Sequence, residues 1–323
     1  MNKKSLNLIM KNSRDFFKEY PIFLVLIVLL GVGYFFDPIC ISIRNQKNIL
    51  HDISVPFILS IGQTIVMLTG GIDLSFGSVI SLAGVIVVIL LPKMGILLSI
   101  IVVLIMGMVI GAINGFFISR FKILPFIVTL SFMLIWEGIA LVITRTQPLF
   151  VSNPSLNAVN YGFLLGIIPL PWVYGIIIFV LGIIFLHFHV IGRRVYQIGN
   201  DEEIARISGI KVSRIKIGVY MLNATISAFC GIVVASRMSL GDPTVGYQFL
   251  FDVIAATCLG GTLMSGGKGG IIGTLGGIFV LLNLKNLLIL NDVSIYIQDV
   301  IKGIIILVSV MGLSMRKIGS SSG

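Results

Sequence analysis

From Phe76 to Phe121 the chain carries only two charged side chains, Lys93 and Arg120. A helix needs about 20 predominantly apolar residues to cross a bilayer, and the runs on either side of Lys93, 76–91 and 94–119, approach or exceed that length. Similar runs recur at approximately 21–36, 53–69, 123–143, 171–190, 215–236, 250–264, 271–290 and 298–314. Hydrophobic residues make up 57% of the 323 and charged residues 11%, with a mean hydropathy of +1.08. A soluble domain of this size could not hide so much apolar surface. The predicted fold class is therefore an all-α polytopic membrane protein of about ten transmembrane helices. Some runs are short, and those around Gly70-Gly71 and Gly260-Gly261 are interrupted by glycine. Such broken helices are tolerated in a membrane only where the irregular backbone lines a cavity or is buried in protein.

Lysine and arginine set the orientation. With the amino terminus inside, sixteen basic residues fall in inner segments and five in outer loops, while Lys285 and Lys302 lie within spans. This is the positive-inside bias. It predicts a cytoplasmic segment 1–20, a membrane domain 21–314 with a cytoplasmic loop at 193–216, and a cytoplasmic tail 315–323. The loop 145–170 then lies outside. The first run lacks a small-residue cleavage site before Phe36-Asp37-Pro38, and it reads as an uncleaved span. Leu68-Thr69-Gly70-Gly71 and Cys258-Leu259-Gly260-Gly261 each close one run and open a Ser/Gly-rich link into the next. This echo is what two pseudo-repeated halves, spans 2–5 and 7–10, would leave. Glycine packing between helices would leave it too.

The net charge of +10 gathers at span ends and does not imply nucleic acid. Cys40, Cys230 and Cys258 are scattered without metal-ligand spacing, and they read as small buried hydrophobes. His51, His187 and His189 show no metal partner set. Gly266-Gly267-Lys268 is followed by Gly269 and is not a Walker A loop, so any ATP must be hydrolysed on a partner. Thr244-Val245-Gly246-Tyr247 copies part of a potassium filter but is followed by Gln248, without the second glycine that stacked carbonyls need.

The densest polar stretch is Arg193 to Lys216, with six basic and three acidic residues. Asn200 or Asp201 can cap a helix whose first turn carries Glu202 and Glu203, matching the helix dipole. Ile204, Ile207 and Ile210 offer a narrow apolar stripe, Arg206 points elsewhere, and Gly209 is a natural stop. This short amphipathic helix either anchors the loop at the membrane surface or docks in a groove of another protein.

Polar groups within or beside spans are expensive and need partners. Asp73 can hold a broken helix by accepting backbone N–H groups near Ser75, or it can contact solute. Glu137 beside Trp136 suits sugar contact or an interfacial anchor. Gln63, Asn114 and Asn223 fit interhelical hydrogen bonding. Asp73, Glu137, Asp252 and Asp299 are spread without evident pairing, which argues against a carboxylate relay.

The stretch Gly199-Asn200-Asp201-Glu202-Glu203-Ile204-Ala205-Arg206-Ile207-Ser208-Gly209-Ile210 resembles the ATPase-docking motif of ribose-type (monosaccharide) ABC importer permeases, approximately GGNExAARLSGI. Gly70-Gly71-Ile72-Asp73-Leu74-Ser75-Phe76-Gly77-Ser78 is similar to that family's GGIDLSxGS. Asp242-Pro243-Thr244, Asp252 to Ala256, Leu259 to Thr262 and Ser265 to Gly269 follow in order, so the resemblance spans about residues 50–314. Glu203, Ile204, Asp242 and Leu250 depart from its pattern. The resemblance implies a permease subunit that does no covalent chemistry. It implies a second permease copy or similar permease, an extracytoplasmic solute-binding protein, and separate ATPase subunits that hold ATP and Mg²⁺, with no cofactor on this chain. The setting would be a bacterial cell membrane and the cargo a monosaccharide. Alternatives are a furanone-like signalling sugar, a nucleoside or a branched-chain amino acid, and, in another class, an ion-coupled secondary transporter.

Overall fold

The structure, a computed structural model, describes residues 15–164 and 168–321. Its main helices are α1 (Ile22–Phe36), α2 (Ile43–Leu68), α3 (Phe76–Phe121), α4 (Pro125–Thr144) and α5 (Leu170–Phe188). They continue with α6 (Val190–Asn200), α7 (Glu202–Ile207), α8 (Val212–Met238), α9 (Tyr247–Leu259), α10 (Ile271–Leu290) and α11 (Ile295–Ser321).

Six of the described helices, α2, α3, α4, α5, α8 and α10, are long and apolar enough to cross a membrane. That is fewer than the ten predicted runs: the run in α11 is not among the six, and two features account for the rest. Runs 76–91 and 94–119 join in α3, whose 46 residues bend at Gly95 (φ 74, ψ 173). At Gly95 the chain folds back, so α3 is two helices whose far ends meet again, with Asn114 Nδ2 bonded to Ser75 Oγ at 2.6 Å. The runs at α1 and α9 form helices of only 15 and 13 residues. Several boundaries also move. α2 begins at Ile43 rather than near 53, and α9 ends at Leu259, leaving Gly260 onward as a link.

Burial sorts the helices into a centre and a surround. The apolar window of α2 is 83% buried and those of α8 and α10 are each 61% buried, against 22–28% for α3, α4 and α5. The exposed apolar faces of the outer helices are the surface a bilayer would cover. α8 lies against α3 over a glycine stripe. A Cβ added at Gly107, Gly111 or Gly115 would come within 2.7 Å of the α8 backbone. Glycine every four residues lets two helix backbones approach in this way. Cys40, Cys230 and Cys258 are free and buried.

The links at the end of the bundle where α8 terminates carry two short antiparallel pairings. Leu149–Phe150 pairs with Leu240–Gly241 and Phe163–Leu164 with Ile168–Pro169. The segment 145–170, read from sequence as an outer loop, is tied by the first of these to the residues that follow α8.

Candidate functional site

The polar stretch 193–216 is three helices rather than one loop. It starts inside α6, contains α7 and ends inside α8. α6 buries Gly192, Val195 and Ile198 and exposes Arg193 and Arg194. Asp201 is extended, and its Oδ1 accepts the Ile204 N–H at 2.9 Å, so Asp201 caps α7 and Asn200 ends α6. Glu203 pairs with Arg206 along α7. Glu202 reaches Lys216 at 2.5 Å, tying α7 to the first turns of α8. Gly209 (φ +83) turns the chain, and the Ile210 N–H donates to the Ala205 carbonyl at 3.1 Å. Ala205 is buried, whereas Ile204 is 63% and Ile207 77% exposed. Ile210 turns inward against the core, so the outward apolar stripe consists of Ile204 and Ile207 alone.

The end of α6, just before α7, is packed on backbone. A Cβ at Gly199 would lie 1.9 Å from the Leu68 carbonyl oxygen, at the end of α2, and 2.4 Å from the Gly267 nitrogen. The Gly267 N–H donates to that same Leu68 oxygen at 3.1 Å. Gly266 and Gly267, both at positive φ, leave no room for a side chain. A Cβ at Gly266 would meet Gly70 N at 2.6 Å and Gly199 Cα at 2.8 Å, and one at Gly267 would meet Asn200 Oδ1 at 2.1 Å. The Tyr196 hydroxyl of α6 adds a bond to the Gly269 carbonyl at 3.3 Å, and burial raises its pKa. The links 69–75 and 260–270, which echo each other in sequence, thus meet at the α6–α7 corner. Gly260 itself is pressed on α10, where its Cβ would be 2.4 Å from the Gly273 carbonyl carbon.

Asp73 is fully buried in the first link. Its Oδ1 accepts the Ser75 N–H at 2.9 Å and the Ser75 hydroxyl at 2.6 Å, and its Oδ2 accepts Asn223 Nδ2 of α8 at 2.9 Å. Asn114 Nδ2 of α3 donates to Ser75 Oγ at 2.6 Å. Thr129 Oγ1 of α4 donates to the Ile72 carbonyl at 3.2 Å. One link residue and its neighbours are therefore held by three helices. Buried polar capacity is left over around this network. Asn223 Oδ1, Asn114 Oδ1, the Tyr220 hydroxyl and both side-chain polar atoms of Gln63 have no hydrogen-bond partner among the described residues. Gly71 passes the Tyr220 hydroxyl so closely that a Cβ there would be 2.4 Å from it.

Trp136 and Glu137 lie elsewhere. They sit two helical turns along α4 from Thr129, about 10 Å away. Trp136 stacks on Phe132, and Glu137 accepts the Tyr247 hydroxyl of α9 at 2.5 Å. The acids read as unpaired are in part paired. Lys302 contacts Asp252 at 3.2 Å and Asp299 at 3.0 Å, with Asp252 buried. The spacing of Asp299 and Lys302 on one helix signals their pair; the sequence carries no signal for the approach of Asp252.

The family model described as "Branched-chain amino acid transport system / permease component" matches residues 45–310. The chain is 38% identical over 302 residues to the ribose import permease protein RbsC of Haemophilus influenzae, covering 92% of this chain and 93% of that protein. It is 39% identical over 292 residues to RbsC of Bacillus subtilis, covering 90% of each. It is also 29% identical over 355 residues to the xylose transport system permease protein XylH of Escherichia coli, again with 90% of each covered. No solved structure matches the chain. With matches that run through α7, both glycine links and the Asp73 network, the chain belongs to the ribose-type permease family of ABC importers.

Proposed function

We propose that the protein is the membrane-spanning subunit of a binding-protein-dependent importer that carries a monosaccharide by alternating access. ATP and Mg²⁺ would be held by separate ATPase subunits. The observation that carries this reading is the α6–α7 corner. An exposed apolar pair, Ile204 and Ile207, stands on a capped helix that follows directly on α6, whose Gly199 touches the end of α2 and the second link. An ATPase groove that takes α7 pushes on backbone, and the push reaches both broken-helix links together. Two permease copies, or this chain with a similar one, complete the pathway. The corner faces the cytoplasm, and the amino and carboxyl termini lie on the same side. Ten crossings fit this reading when α3 is counted twice and α1, α9 and α11 once each, and the two links mark related halves.

The names of the relatives, ribose and xylose permeases, support a pentose or similar sugar as cargo. The family description favours a branched-chain amino acid as the alternative.

The test is ATP hydrolysis in proteoliposomes that hold this chain, its candidate ATPase and a sugar-loaded binding protein. Stimulation by the loaded binding protein, lost in a Glu202→Ala, Gly209→Pro double variant, is the expected result. Uptake that follows an ion gradient without any ATPase would refute the reading.

A further inference from the structure

A cavity of about 680 Å³ opens between the start of α1, the 260–270 link and α11. Gly269 on its wall is the residue whose carbonyl accepts the Tyr196 hydroxyl, so the cavity lies at the α6–α7 end of the bundle. Val25 of α1 and Val308 of α11 flank it and are 50% and 62% exposed. Both belong to the apolar faces that a bilayer covers, which makes the cavity a groove open to lipid. Its inner wall includes the Gly260-Gly261 turn, and a Cβ at Gly261 would meet nothing within 4 Å.

The polar groups of the groove are of one kind. Glu19 is its one charged lining residue; it is exposed and makes no ion pair among the described residues. The Tyr20 hydroxyl donates to that carboxylate, and burial together with this bond raises the Tyr20 pKa to about 12. The Ser309 hydroxyl donates to the Ile305 carbonyl at 2.7 Å. With both hydroxyl protons engaged, the groove offers a ligand one carboxylate and two further acceptor oxygens. An anionic headgroup finds no cation in this lining. A quaternary ammonium meets the charge but has no N–H for the acceptors, whereas a primary ammonium has three. A soluble amine would leave the apolar rim of Ile22, Val25 and Val308 uncovered, and a lipid chain covers it. The volume falls within the range of about 300–1,000 Å³ for small-ligand sites, enough for a headgroup and the first part of a chain.

We propose that this groove holds one phosphatidylethanolamine molecule, its ammonium on Glu19 and an acyl chain along Val25 and Val308. So placed, the lipid lies against the Gly260-Gly261 turn and braces the second link from the bilayer side. The proposal needs the chain to lie in a bilayer and does not depend on the importer reading.

The experiment is native mass spectrometry of the full chain, purified in detergent and titrated with dioleoyl lipids. Phosphatidylethanolamine should be retained about fivefold more than phosphatidylcholine or phosphatidylglycerol with the same chains, the factor that one exposed ion pair supplies at its upper end. Glu19→Gln should bring its retention down to that of phosphatidylcholine, while Lys18→Gln, a change to the neighbouring charge, should leave the preference in place. Val308→Trp narrows the mouth and should lower retention of phosphatidylethanolamine with Tm unchanged. Equal retention of phosphatidylethanolamine and phosphatidylcholine, a preference for phosphatidylglycerol, or a preference that survives Glu19→Gln would each overturn the proposal. Lipid retained only after removal of residues 2–14 would make the chain's own amino-terminal segment the occupant, and that result overturns it too.

Discussion

Replacing Gly199 by alanine tests whether the α6–α7 corner is joined to the links by backbone contact. The added Cβ would sit 1.9 Å from the Leu68 oxygen, where ordinary contact begins near 3.4 Å, so about 1.5 Å must be taken up. Both obstacles, Leu68 O and Gly267 N, are main-chain atoms that no rotamer change can move. Overpacking of this kind costs about 1–3 kcal/mol. Pushing Gly267 away also breaks its bond to Leu68, worth about 1–3 kcal/mol when a buried group is left unpaired. The total, about 2–6 kcal/mol, corresponds to a fall in Tm of about 4–10 °C for a chain of this size. Two alanine variants calibrate it. Gly218 has helical geometry and open space around its Cβ, so alanine there is neutral or stabilises by up to ~1 kcal/mol. Gly209 also has open space but φ +83, so alanine costs about 1–2 kcal/mol confined to the end of α7. Thermal unfolding of the purified protein in detergent ranks the three. If Gly199→Ala melts with the parent and with Gly218→Ala, the corner is not packed on backbone and the argument fails.

Three further substitutions probe other parts of the site. Asp73→Ala strands three donors, the Ser75 N–H and hydroxyl and Asn223 Nδ2, and should lower stability by about 3–6 kcal/mol. Asp73→Asn should cost far less, because the Asn223 amide can turn its unpartnered Oδ1 toward the new N–H₂; equal losses in chemical denaturation would contradict this network. Asp201→Ala removes the α7 cap, at about 1 kcal/mol of local helix stability; hydrogen exchange at 202–208 should rise with Tm unchanged, and a global fall in Tm would count against a self-contained α7. Lys302→Met leaves Asp252 buried without its cation, a loss of about 3–5 kcal/mol; adding Asp252→Asn should recover most of it, and no recovery in unfolding measurements would mean that Lys302 serves Asp299 alone.

The apolar runs were legible because bilayer-length hydrophobicity leaves few other folds. The start of α2 was not, because residues 43–52 are polar and carry no span signal. They are helical nonetheless, held by tertiary bonds such as Asn45 Nδ2 to the Cys40 carbonyl at 3.0 Å and to Asn286 Oδ1 at 2.8 Å. The division of α3 into two runs was legible from Pro92 and Lys93, and the backbone breaks close by, at Gly95. The α7 cap could be read from Asp201 and the two glutamates that follow it. The partners of Gly199 could not, since a glycine announces the lack of a side chain and never names the backbone that fills the space.

Contacts at the corner differ in kind from ordinary packing, and the difference bears on coupling. A displacement delivered to a side chain can be absorbed by a rotamer change before it reaches the next element. At Gly199, Gly266 and Gly70 the neighbours are main chain against main chain, and interiors packed to this density transmit strain. A shift of α7 therefore moves the Leu68 end of α2 and the 265–267 turn together. Past Gly70 the motion meets Asp73, whose carboxylate is bound to Ser75 and to α8, and Ser75 is bound in turn to α3. Coupling needs a contiguous element with two arrangements, and this line of contacts supplies the contiguity from the corner into the bundle centre. It also fixes where coupling is most easily lost. Alanine at Gly266 would wedge the turn away from both Gly70 and Gly199 while meeting no residue of α7 or of the Asp73 network. ATP hydrolysis should then continue with transport uncoupled from it. Transport and hydrolysis falling in equal proportion would place the coupling path outside the two links.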